Sequence, residues 1–138
     1  MEGCMAASPR GTIFVVEDEW LVAEQMARDI RKAGFEVLGP AHSCRSAMEL
    51  LSTVTPSLAV LDIGLRKDNS FEVADVLYAR GVPFLFTTGY TAEDLPERFA
   101  SRPFLAKPFA TETLLVRLTE LLHARDHGSS SFGGAQAC

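Results

Sequence analysis

Apolar and polar positions follow two rhythms along the chain. Thr12-Ile13-Phe14-Val15-Val16-Glu17, Leu58-Ala59-Val60-Leu61-Asp62 and Phe84-Leu85-Phe86-Thr87-Thr88 are short, nearly continuous apolar runs. Strands covered on both faces have this form. Phe35-Glu36-Val37-Leu38 and Phe104-Leu105-Ala106 are shorter and suit flanking strands. Between the runs, apolar residues recur every three or four positions. Val22, Met26, Ile30 and Ala33 form a helical stripe that stops at Gly34. Ala47, Leu50, Leu51 and Val54 form a second after the candidate cap Ser43, with Pro56 beyond. Val73, Val76 and Leu77 form a third, closed by Gly81 and Pro83. Leu114, Leu115, Leu118, Leu121 and Leu122 give the clearest helix, opening near Thr111. The stretch 91–102 is weak, because Pro96 interrupts it and only Leu95, Phe99 and Ala100 can face inward.

The pattern is β-α repeated five times, with a short or dynamic fourth helix. Right-handed crossovers between parallel strands place helices on both faces of one sheet. An α/β, doubly wound, five-stranded parallel sheet is expected, with any ligand at the carboxyl edge of the strands.

Composition sharpens this picture. The 138 residues are 47% hydrophobic and 22% charged, enough for one domain with a core. Residues 1–10 read as a flexible N-terminus, 11–125 as the folded domain, and 126–138, rich in Gly and Ser, as a disordered tail. A net charge of −5 argues against a nucleic-acid partner. The apolar runs are too short to cross a bilayer, and the start of the chain lacks a signal-peptide pattern. Cys4, Cys44 and Cys138 are scattered, without a CxxC, and suit incidental thiols in a cytoplasmic protein.

Strand ends deliver the candidate chemistry. The first strand ends in Glu17-Asp18, with Glu19 following, and the third ends in Asp62. Two carboxylates about 4 Å apart repel by roughly 4 kcal/mol at an effective dielectric near 20. Oxygen ligands of this kind suit Mg²⁺, although acids after strands also cap helices, as Glu19 could. The fourth strand ends in Thr87-Thr88-Gly89 and the fifth in Lys107-Pro108-Phe109. Acids joined by a hydroxyl and an ammonium suit an anion beside a metal, most simply a phosphoryl group. Taken singly, Lys107 is as readily a solvated lysine and the threonines ordinary strand residues. His42, His123 and His127 have no ligand spacing, Trp20 reads as a packing or rim residue, and Arg66-Lys67-Asp68-Asn69 as a solvated loop.

Glu17-Asp18, Leu61-Asp62, Thr88-Gly89 and Lys107-Pro108 together resemble the receiver domain of two-component response regulators. The resemblance implies a flavodoxin-like (βα)5 fold with strand order 2-1-3-4-5. It implies Asp62 as phospho-acceptor and Mg²⁺ held by Asp18, Asp62, the Gly64 carbonyl and, through a water, Glu17. Thr88 would contact the phosphoryl group, Lys107 would pair with it, and the Lys107–Pro108 bond would be cis. Pro83-Phe84-Leu85-Phe86-Thr87-Thr88-Gly89-Tyr90 is similar to the Pro-Phe-x-Phe-Ala-Thr-Gly-Tyr motif of single-domain receivers, often partnered with HWE-type histidine kinases. Thr87 stands where that subgroup has Ala, which leaves open which threonine signals; Phe104 occupies the position of the family's switching aromatic, or simply packs.

The expected function is a stand-alone receiver, a phospho-acceptor that supports its own phosphotransfer and dephosphorylation. Its donor would be a histidine kinase or histidine phosphotransferase. Its output would pass to a protein target through the fourth helix, fifth strand and fifth helix, or it would act as a phosphate sink. Two rivals differ in kind. A pseudo-receiver binding module would keep the fold without phosphorylation, and intact Asp62, Thr88 and Lys107 speak against it. A phosphohydrolase would need a second acid near the nucleophile, but Asp62-Ile63-Gly64 places glycine there.

Overall fold

The computed structural model describes residues 10–65, 69–89 and 96–136, with the side chains of 125–136 excepted. Five parallel strands lie in the order β2-β1-β3-β4-β5: β1 (Thr12–Val16), β2 (Glu36–Ala41), β3 (Leu58–Asp62), β4 (Phe84–Thr88) and β5 (Phe104–Ala106). The helices are α1 (Trp20–Lys32), α2 (Cys44–Leu51), α3 (Phe71–Ala79) and the C-terminal α4 (Thr111–Gln136). β3 and β4 are buried at every position, as their unbroken apolar runs require.

Alternation along the strands divides the core in two. Ile13, Val15, Leu58, Val60, Leu85 and Leu105 face α1 and α4, meeting Met26, Ile30, Leu114 and Leu118. Phe14, Val16, Ala59, Leu61, Phe84 and Phe86 face α2 and α3, meeting Ala47, Leu51, Val73 and Leu77. Gly34 and Gly81 close α1 and α3 with φ of +100° and +74°, a left-handed geometry that favours glycine. Ser43 caps α2, its Oγ accepting the Ser46 N–H at 3.1 Å. The Lys107–Pro108 bond is cis, as the resemblance implied.

Three expectations change, while the weak fourth helix is short as expected. β2 runs on to Ala41, past Leu38, because its edge position tolerates Pro40 and a register shift between Phe14 and Val16. Val54 lies beyond α2 and is exposed, since Leu51 and Ala47 already fill that helix's inner face. Of the weak stretch 91–102, residues 91–95 lie outside the described residues. The remainder holds one 3₁₀ turn, Glu97–Phe99, pinned by Phe99 against the rings of Phe71, Phe84 and Phe86. Finally, the backbone is helical to Gln136, through most of the segment expected to be disordered from 126. Once Leu114 and Leu118 nucleate α4 on the sheet, each added residue contributes a hydrogen bond without a new nucleus.

Candidate functional site

Each site residue sits where a strand runs out. Val16 pairs with Leu61, so the residues that follow, Glu17 and Asp62, emerge side by side from β1 and β3. Lys107 follows β5, and its N–H donates to the Thr88 carbonyl at 2.8 Å, which ties the lysine to the end of β4. The Lys107 ammonium lies 2.9 Å from Glu17 Oε1 and 3.2 Å from Asp62 Oδ2. Glu17 is fully buried and Asp62 is 5% exposed, while the lysine reaches in from the rim. One oxygen each from Glu17, Asp18 and Asp62 lie within 4.8 Å of one another. Like charges at that spacing repel by about 3 kcal/mol at an effective dielectric near 20.

The electrostatics follow from this crowding. Burial, and next the Glu17 charge, push the Asp62 carboxyl up to about 7, against the pull of Lys107. Burial works to lower the Lys107 ammonium, but the close Glu17 carboxylate and the charge of Asp62 together hold it above its ordinary value. Two carboxylates thus share one cation, and among the described residues Glu17 Oε1 accepts no aligned hydrogen bond even with Nζ 2.9 Å away. A buried carboxylate oxygen left in this state, in an oxygen-only donor set, fits a hard divalent cation such as Mg²⁺. Asp18, Glu17 and Asp62 would hold it, with the Gly64 carbonyl in the adjoining loop.

The other expected residues fall as follows. Thr87 and Thr88 are both fully buried. Thr87 is the Cα partner of Asp62 and shares its face of the sheet; Thr88, last in β4, alternates to the side of Phe84 and Phe86. A Cβ built on Gly89 would meet nothing within 4 Å, so packing does not demand glycine there. Phe104 pairs with Phe86 and packs, partly buried, on the α2–α3 side of the core. Trp20, the first residue of α1, is exposed. Glu19 stands at the N-cap of α1 without a side-chain bond, and its N–H donates instead to Glu17 Oε2 at 3.1 Å. Residues 66–68 of the loop after Asp62 lie outside the described residues.

One neighbour was missed. His42, read as an unattached surface residue, follows β2 at the same edge, and its Nδ1 lies 2.9 Å from the Glu17 carbonyl. The adjacency of β1 and β2 was the only signal that could have placed it.

Similarity to known proteins agrees with this geometry. The response regulator receiver domain family matches residues 13–119. Among curated proteins, the chain is 30% identical over 114 residues to the transcriptional regulatory protein PdtaR of Mycobacterium tuberculosis, covering 80% of this chain and 55% of that protein. The chain therefore spans about half the length of the curated relatives it matches. Among solved structures it is similar to SdrG from Sphingomonas melonis Fr1, at 32% identity and a TM-score of 0.71, covering 84% of this chain and 98% of that one. It shares the fold of a CheY-like receiver domain protein from Methanospirillum hungatei JF-1, with a TM-score of 0.78 at 20% identity over 88% and 99% of the two chains.

Proposed function

The chain belongs to the response regulator receiver family, and from that membership we propose that it accepts a phosphoryl group on Asp62 from a phosphohistidine donor. The donor is a histidine kinase or histidine phosphotransferase of a two-component system. The observation that carries this reading is the ion-paired Asp62 carboxylate, nearly buried at the end of a central strand, with Lys107 Nζ 3.2 Å away.

In the transfer, an Asp62 oxygen forms a bond to phosphorus. The phosphorus–nitrogen bond of the donor breaks, and its electron pair returns to the imidazole. Lys107 favours the ionised form of Asp62 against burial and Glu17, and then pairs with the phosphoryl oxygens. Thr88 turns toward the phosphoryl group from its place at the end of β4. Asp18, Asp62, the Gly64 carbonyl and, through a water, Glu17 would hold Mg²⁺, which when bound would supply charge neutralisation at the transferring oxygens. Gly89 leaves the approach open.

We place this activity in the cytoplasm; among the described residues, no helix is long and apolar enough to cross a membrane. The Pro83–Tyr90 motif favours an HWE-type kinase as donor. A protein target reads the face formed by the 3₁₀ turn, β5 and α4, where Val116 is exposed at 54%.

Incubation with a small phosphodonor and Mg²⁺ tests the reading. Wild-type protein should form one equivalent of a labile acyl phosphate, and Asp62→Asn or a chelator should abolish it. No labelling would mark a pseudo-receiver, many turnovers would mark a phosphohydrolase, and equal labelling of Asp62→Asn would refute the acceptor.

A further inference from the structure

We propose that the Thr87 hydroxyl is a positioning group of the site, kept for the phosphorylated form, where it replaces Lys107 on Asp62 and hastens return of the free carboxylate. The inference rests on Asp62 being the phospho-acceptor. Thr87 is fully buried, and its Oγ1 has no hydrogen-bond partner among the described residues. In the β3–β4 register it is the Cα partner of Asp62, and the Ile63 N–H donates to the Thr87 carbonyl at 2.9 Å, fixing that rung. Paired residues of parallel strands project to the same face, and neighbouring strands lie about 4.8 Å apart. The two side chains therefore leave the sheet roughly 5 Å apart. On its other flank Thr87 pairs with Leu105, two residues before Lys107. The Thr87 position thus lies on the rung between Asp62 of β3 and Leu105 of β5, the strand that Lys107 follows.

Packing does not explain it. Valine has the same shape and as good a strand preference, and it buries no unpaired donor. In the resting site Lys107 is committed to Glu17 Oε1 and Asp62 Oδ2. A phosphoryl group on Asp62 brings anionic oxygens that compete for the ammonium. The Asp62 oxygen it leaves then needs a donor, and the unpaired hydroxyl of Thr87, on the same rung and the same face, is the group that turns to it. In dephosphorylation a water oxygen forms a bond to phosphorus and the phosphorus–oxygen bond to Asp62 breaks. Its electron pair stays on Asp62, and the water's protons leave with inorganic phosphate and solvent. Negative charge grows on Asp62 as that bond lengthens, so a hydrogen bond there is stronger in the transition state than in the acyl phosphate. Such a bond speeds the reaction.

Decay of the acyl phosphate after removal of a small phosphodonor, in Mg²⁺, tests the proposal. Thr87→Val should decay about fivefold more slowly than wild type, the equivalent of about 1 kcal/mol for one hydrogen bond. Thr87→Ser should decay as wild type does, and resting Thr87→Val should melt no lower than wild type. Should Thr87→Val fail to fold, Thr87→Ala must show the same slowing. Decay of Thr87→Val at the wild-type rate or faster, or equal slowing in Thr87→Ser, overturns the role of Thr87. Absence of label in wild-type protein overturns the acceptor reading itself, a separable result.

Discussion

The Asp62 carboxyl is raised to about 7 because burial and Glu17 oppose its charge, and this sets a sign for stability against pH. The unfolded chain releases that proton near 3.8, whereas the folded protein keeps it until about 7. Across the interval the folded state binds more protons, so stability falls as pH rises from about 4 to about 7. Chemical denaturation in chelator across that range should show the fall, and Asp62→Asn should flatten it. A wild-type profile that rises through the interval contradicts the electrostatic account. The residue types and their strand-end positions were legible in sequence, because Glu17, Asp62 and Lys107 each end an apolar run. What could not be read was which atoms meet. The approach of His42 and the rung that puts Thr87 opposite Asp62 both depend on strand register. Periodicity within one segment carries no information about register.

Among the elements, α2 is short and depends on its start. Ser43 Oγ accepts the Ser46 N–H, so Ser43→Ala should lower stability by about 1 kcal/mol, read as a melting point a few degrees lower. An unchanged melting point would show that the cap is dispensable. The 3₁₀ turn Glu97–Phe99 is anchored by buried Phe99 and by an exposed two-bond pair, Arg98 Nε and Nη2 to Asp75 at 2.9 and 3.0 Å. That is little burial against the entropy of ordering, so amide exchange at 97–102 should be much faster than at Leu114–Leu118 and should slow on phosphorylation. Equal protection in both places, unchanged by phosphorylation, would exclude this segment as the switch. Helix starts and stops were legible at Ser43, Gly34, Gly81 and Thr111, because caps and glycines act locally. The extension of β2 through Gly39-Pro40 was not. Proline reads as a breaker, and only the free edge of β2 lets it stay in a strand.

For the whole molecule, the sheet order brings three acids together at one edge, and the folded apoprotein carries their repulsion. Divalent metal binding the folded state alone adds RT ln(1 + [L]/Kd), about 2.7 kcal/mol at a hundredfold excess over Kd. Millimolar Mg²⁺ should raise the melting temperature of wild type and not of Asp18→Ala; the same shift in both would refute the site. The doubly wound fold was legible because fully apolar strands alternating with amphipathic helices admit few other packings. The strand order came with the family resemblance, since apolar runs do not say which strand neighbours which. The central claim is that Asp62 carries the phosphoryl group, and reductive trapping tests it most directly. Protein incubated with phosphodonor and Mg²⁺ is treated with borohydride, which reduces an acyl phosphate to the alcohol, and its peptides are mapped by mass spectrometry. Conversion at Asp62 alone, absent without donor, is predicted; conversion at Glu17 or Asp18 instead, or at no carboxylate, would contradict the account.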